Sequence, residues 1–200
     1  MREKNDILET ITIGCLGESS VGKTSMIQRY VGGYKPDQNI PTIGVEFNFT
    51  KRILYNGKYY KIKICDTAGQ EKYRSLCMNF IRNWDGAILV YDIANRDSFN
   101  SISNWTQNIY DIKDEDFLFI LIGNKCDLEE KREVSKEEGL ETAGKYNTLF
   151  FETSAIEGIN IEKAFDELLN MYIKKNEENN NKKNNNLKLD KKIKKKRKIC

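Results

Sequence analysis

GESSVGKT, residues 17–24, sets two glycines, a lysine and a hydroxyl at the spacing G-x-x-x-x-G-K-[ST], and that spacing carries phosphate chemistry. Gly17 and Gly22 let the backbone N–H groups of the loop, including Ser19, Ser20 and Val21, curl round an anion at the positive end of the helix that follows. Lys23 brings a point charge to the β and γ phosphates. The Thr24 hydroxyl can ligate Mg²⁺, and Ser25 continues the helix start beside it. A chance glycine–serine turn with a surface lysine is the bland alternative, and a strand before the loop with a helix after it disfavours that. The loop alone specifies a nucleotide, not a base or a reaction.

NKCD, residues 124–127, supplies a base reader. The Asp127 carboxylate can accept hydrogen bonds from guanine N1–H and the exocyclic amino group. Adenine offers neither donor there, and a buried carboxylate left unpaired gives rejection on the order of 10⁴–10⁵. The Asn124 amide can brace the site and reach N7, and the Lys125 stem can lie along the base. In ETSA, residues 152–155, Ser154 shapes the loop and a backbone N–H near Ala155 can reach guanine O6. Each tetrapeptide alone also fits an ordinary loop turn, but in this order after the phosphate loop they point to guanine.

DTAGQE, residues 66–71, completes the set. Asp66 can hold the hydration shell of Mg²⁺, Gly69 can offer its N–H to a γ-phosphate, and Gln70 can orient an attacking water. The chain has no histidine, so the usual general base is missing and hydrolysis must rest on positioning and electrostatics. No arginine stands in an identifiable phosphate-facing position. One supplied by a partner is worth about 10³–10⁵ in rate, so unaided turnover is expected to be slow.

These loops need strands to end on. ITIGCLG (11–17), GAILVYD (86–92) and FLFILIG (117–123) are continuously apolar, as strands buried on both faces should be. VEFNFTKRILY and KYYKIKICD flank Asn56-Gly57, a hairpin signal, so one antiparallel pair is expected. Helical patterns run from Lys23 to about Val31, through Phe99, Ile102, Trp105 and Ile109, and through Ile161, Ala164, Phe165, Leu168, Leu169 and Tyr172. Strands alternating with helices imply an α/β fold around a mostly parallel sheet, with ligands at the carboxyl ends of the strands.

Composition separates two regions. Residues 174–200 hold 12 Lys/Arg and 3 Asp/Glu, net +9, which leaves 21 basic and 27 acidic residues in 1–173, net −6. An acidic globule with a basic tail does not suit nucleic acid. From 176 the Asn- and Lys-rich composition lacks apolar content, so a disordered tail is expected over 176–200 after a folded domain over 1–175. The five cysteines lack metal-ligand spacing, which with the absence of histidine argues against zinc and for a reducing cytosol. The charged first ten residues predict no signal peptide.

With these motifs in this order, residues 8–175 resemble the Ras superfamily. IGVEF (43–47), QEKYRSL (70–76) and LVYDI (89–93) are most similar to its Rab branch. The resemblance implies the P-loop GTPase fold: a mostly parallel six-stranded sheet, one antiparallel edge hairpin, and helices on both faces. It also implies GTP and GDP as substrate and product, Mg²⁺ as cofactor, and Thr42 sensing the γ-phosphate through the metal with Thr24 and Asp66. Expected partners are an exchange factor, a GTPase-activating protein and effectors, with a role in membrane traffic.

Departures matter. Cys65 stands where Rabs usually have Trp, in an aromatic triad that maps to Phe47 and Phe80 and faces effectors. A core position and a surface position for Cys65 both stay open. Strict spacing puts Lys35 where an aromatic should stack on guanine, and Tyr34, one position earlier, is the substitute. A single Cys200 follows the polybasic KKIKKKRK (191–198) and is the expected lipidation site, which would put the protein on the cytoplasmic face of an intracellular membrane. Open alternatives are a P-loop kinase or ATPase, which NKCD disfavours, a binding module that does not hydrolyse, and a Ran-like nuclear transport protein.

Overall fold

Alternate residues of the central strands go to opposite sides and both sides are apolar, so both faces of the sheet must be covered. In β4 (Gly86–Asp92), Ile88 and Val90 enter one core cluster, and Ala87, Leu89 and Tyr91 enter the other. In β5 (Phe119–Asn124), Ile120 and Ile122 go to the first, and Phe119 and Leu121 to the second. This computed structural model describes residues 9–33, 42, 44–67 and 74–197, with the side chains of 74–77 and 182–197 outside the description.

The remaining strands are β1 (Glu9–Leu16), β2 (Val45–Ile53), β3 (Tyr59–Thr67) and β6 (Leu149–Thr153). They form one six-stranded sheet in the order β2-β3-β1-β4-β5-β6. Only β2 pairs antiparallel, with β3, and the other ladders are parallel. Gly57, at φ 72, turns the hairpin as the Asn-Gly pair predicts. The expected mixed sheet with its edge hairpin is therefore present.

The first cluster is closed by α1 (Lys23–Gly32), through Met26, Ile27 and Tyr30, and by α6 (Ile161–Arg197), through Ile161, Ala164, Phe165, Leu168, Leu169 and Ile173. The second is closed by α2 (Arg74–Ile81), α4 (Ile102–Tyr110) and α5 (Lys136–Lys145). The helical pattern through Phe99 is split in two. A short α3 (Arg96–Asn100), capped by the Asn95 side chain on the Ser98 N–H, precedes α4, with Ser101 between them.

The tail differs from its composition. α6 continues to Arg197 where a disordered segment was expected from 176. After Gly158 the chain has no proline or glycine to stop a helix, and Lys, Leu and Glu tolerate one. The hairpin tip also ties α6 down: the Tyr55 N–H donates to Asn170, and the Tyr55 hydroxyl and the Asn56 amide both donate to the Glu177 carboxylate.

Candidate functional site

The phosphate loop leaves β1 at Leu16 and enters α1 at Lys23, and its backbone is shaped by close neighbours. Gly17 has φ +146, and a Cβ there would lie 2.2 Å from the Val90 carbonyl oxygen of β4. Gly22 has φ +98, and its Cβ would lie 2.3 Å from Asn124 Nδ2. Ser20 is held at φ 65, a left-handed conformation costly for a non-glycine residue. Gly22 caps α1 without a side-chain hydrogen bond, so the first N–H groups of the helix are not satisfied by a capping side chain. Ser19 and Ser20 are exposed at the loop surface, Val21 anchors it in the core, and Ser25 is half-buried.

Lys23 is almost fully buried. Its Nζ donates to the carbonyls of Gly17 at 2.9 Å and Glu18 at 2.7 Å, so the cation is folded back over the loop that it follows. Beside it three oxygen groups converge: Thr24 Oγ1 lies 2.8 Å from Thr42 Oγ1 and donates to Asp66 at 2.7 Å, and Thr42 reaches the same carboxylate at 3.3 Å. Asp66 is fully buried, and among the described residues its Oδ1 has no hydrogen-bond partner. Burial pushes its carboxyl above the usual range, against the Thr24 hydrogen bond and the Lys23 charge. Hard oxygens around an unsatisfied carboxylate fit Mg²⁺, which is held by one or two protein oxygens plus phosphate and water.

Asn124, at the end of β5, is the joint of the site. Its Nδ2 donates to the Val21 carbonyl at 2.8 Å, and its Oδ1 accepts from Thr153 Oγ1 of β6 at 3.0 Å. Lys125 follows in a left-handed conformation, φ 65, with its Nζ 2.6 Å from Asp92 at the end of β4. Two residues on, Asp127 Oδ1 is buried without a partner among the described residues. Ser154 is fully buried, with its hydroxyl accepting from the Glu157 N–H, and Ala155 is buried beside it. Asn124, Val21, Gly22 and Thr153 thus meet at the carboxyl edge of the sheet.

Tyr34, Gly69, Gln70 and Cys200 lie outside the described residues. The motif reading missed Asp92 and Thr153, which hold Lys125 and Asn124. Asp92 closes the apolar run GAILVYD, and an acid ending a strand buried on both faces was the signal available.

The Cys65 surface reading is overturned. The three positions do gather: Phe47 pairs with Cys65 across the hairpin, and the Phe47 and Phe80 rings meet edge to face at 5.7 Å. Phe47 is 41% exposed, but Cys65 is 1% exposed, in the cluster that contains Trp84. A thiol is small enough to sink beneath the aromatic pair, so of the three expected partner-facing positions Cys65 drops out and Phe47 stays exposed.

The model of the Ras family matches residues 13–174. The chain is 41% identical over 155 residues to Ras-related protein Rab-11B of Dictyostelium discoideum, covering 78% of this chain and 70% of that one. It is 40% identical over 163 residues to GTP-binding protein Rab-3D of Rattus norvegicus, 82% and 74% of the two chains. Ras-related protein Rab-10 of Diplobatis ommata is 44% identical over 150 residues, 75% and 74%.

Proposed function

Because this chain belongs to the Ras family as a Rab-like GTPase, we propose that it binds GTP and GDP with Mg²⁺ in the site around Lys23, hydrolyses GTP slowly, and serves as a nucleotide-controlled switch in membrane traffic. The observation that carries this reading is a pair of buried carboxylate oxygens without partners among the described residues, Asp66 Oδ1 and Asp127 Oδ1. Leaving a buried carboxylate oxygen without a partner is costly, so each position makes sense when a ligand completes it. One suits a hydrated cation, and the other suits the donor pair of guanine.

The residues divide the work. Ser19, Ser20, Val21 and Gly22 present backbone N–H groups to the phosphates, Ser25 extends that cradle, and Lys23 neutralises the β and γ oxygens. Thr24, Thr42 and Asp66 would hold the Mg²⁺, which supplies charge neutralisation between the phosphates. Gly69 offers its N–H to the γ-phosphate, and Gln70 orients water. Asn124, Lys125, Asp127, Ser154 and Ala155 read the base, with Tyr34 beside it. Lys23 and the metal ligands grip the γ-phosphate only while it is attached, so hydrolysis releases the segments that carry Thr42 and Gln70. Partners then read the state through Phe47 and Phe80. An exchange factor and a GTPase-activating protein set its timing, and Cys200 with the polybasic run anchors it to a cytoplasmic membrane face.

Asp127→Asn tests the base assignment. Xanthine carries a carbonyl where guanine has its amino group, and an Asn amide can donate to it. Hydrogen bonds to charged groups contribute roughly 1.5–3 kcal/mol each, so GTP affinity should fall at least about 10-fold while xanthosine triphosphate gains. Titration of both nucleotides against both proteins decides it. Unchanged GTP affinity would remove Asp127 as the base reader.

A further inference from the structure

The second residue of the phosphate loop is an acid, a like charge to the ligand proposed for that loop. Glu18 is only half-buried, and its backbone carbonyl is one of the two that hold Lys23 Nζ, at 2.7 Å. Its carboxylate is not left to solvent: Oε1 accepts from the indole Nε1–H of Trp105 at 3.1 Å. Trp105 belongs to α4, across the sheet from α1, and is 2% exposed among Ile102, Ile109 and the second core cluster. A tryptophan is a poor choice for a core position unless its N–H finds an acceptor, and here the acceptor lies in the phosphate loop, 87 residues away in sequence.

We propose that Trp105 is a positioning residue that holds the Glu18 carboxylate off the phosphate cradle, so that α4 sets nucleotide affinity through this hydrogen bond. This rests on the guanine-nucleotide reading of the loop. The bond draws the carboxylate towards the α4 side while the Glu18 carbonyl stays on Lys23, so one residue serves two directions without presenting its charge to the ligand. Without the indole N–H, the carboxylate can swing across the loop. Glu18 is half-exposed, and at an effective dielectric of about 40 a like charge about 6 Å from a phosphate weakens binding by about an order of magnitude.

The full chain and a fluorescent GDP analogue provide the test, with affinity measured at low and high salt. Trp105→Phe keeps the ring packing and loses the donor. It should weaken binding about 10-fold at low salt, and the loss should shrink at high salt because freed surface charge is screened. Adding Glu18→Gln to that variant removes the charge and should restore affinity to within about 2-fold of the parent. A purely structural tryptophan predicts neither the salt dependence nor the rescue. Failure of Glu18→Gln to rescue, or a loss independent of salt, overturns the proposal. Glu18→Asp covers the case in which Trp105→Phe melts below assay temperature. It keeps the charge but is too short to hold the indole, so it should show the same salt-screened loss, and parent-like affinity would overturn the proposal. A parent protein that binds no guanine nucleotide would instead overturn the reading of the loop itself.

Discussion

Gly22 stands where three pieces of chain come together: the end of the phosphate loop, the first turn of α1 and the Asn124 amide. Its φ of +98 disfavours any side chain, and a Cβ would collide with Asn124 Nδ2 at 2.3 Å. Gly22→Ala should therefore displace Asn124 from the Val21 carbonyl and move the loop that carries Lys23. The free loop of the variant relieves this strain by leaving that conformation, and restoring it for the ligand costs of order 1–3 kcal/mol, so GDP affinity should fall by about 10-fold or more. Stability of the ligand-free protein should change less, because the loop is a small part of the core. Paired measurement of nucleotide affinity and thermal melting checks this, and parent-like affinity would contradict it. At this scale the motifs of the candidate site were legible, because GxxxxGK[ST] and NKxD each set their residues in consecutive positions. The supports were not. Asp92, Thr153 and Trp105 come from three other elements, and only folding brings them to Lys125, Asn124 and Glu18.

Among the elements, β4 and β5 were the easiest to anticipate, since a strand covered on both faces needs apolar residues at every position and reads as an unbroken run. The hairpin was harder, because its two faces differ. Ile62 and Ile64 of β3 are buried beneath α1 and α6, whereas Phe47, Phe49, Ile53 and Tyr59 line the other face and are exposed. Periodicity assigns Cys65 to a face but cannot say what covers that face at one end. The cover is Phe47, Phe80 and the Trp84 cluster, and it makes a core position of one that was expected to face partners. Cys65→Trp therefore overpacks: an indole forced into that space should cost about 1–3 kcal/mol and lower the melting temperature. Nucleotide binding, proposed to use the neighbouring Asp66, should survive wherever the protein stays folded. A thermal melt with a pull-down on the GTP form separates the outcomes, and a parent-like melting temperature with a new partner set would return Cys65 to the surface.

At the scale of the whole molecule, the domain and its tail are joined by more than a peptide bond. The hairpin tip clasps α6 at Asn170 and Glu177, so the helix leaves the body in a direction set by the sheet edge. Composition alone missed this, because it weighs apolar content and takes no account of a helix already nucleated by its buried first turns. If the basic run and Cys200 form the anchor, Cys200→Ser should shift the protein from membranes to cytosol. One lipid chain with a polybasic patch holds stably, whereas charge alone contributes about 1 kcal/mol per residue and is screened by salt. Membrane fractionation decides it, and a variant that pellets like the parent would exclude Cys200 as the anchor. The Asn124 bridge has its own consequence for how the molecule empties. One amide fastens the turn proposed to read the base to the loop proposed to grip the phosphates, so the two ends of a bound ligand would be held like two hands of one clamp. A fragment that fills one end gets only part of the closure, and guanosine or pyrophosphate alone should be held far more weakly than the joined molecule. A partner that wants the site vacant need pry at one end only, because the other loosens with it.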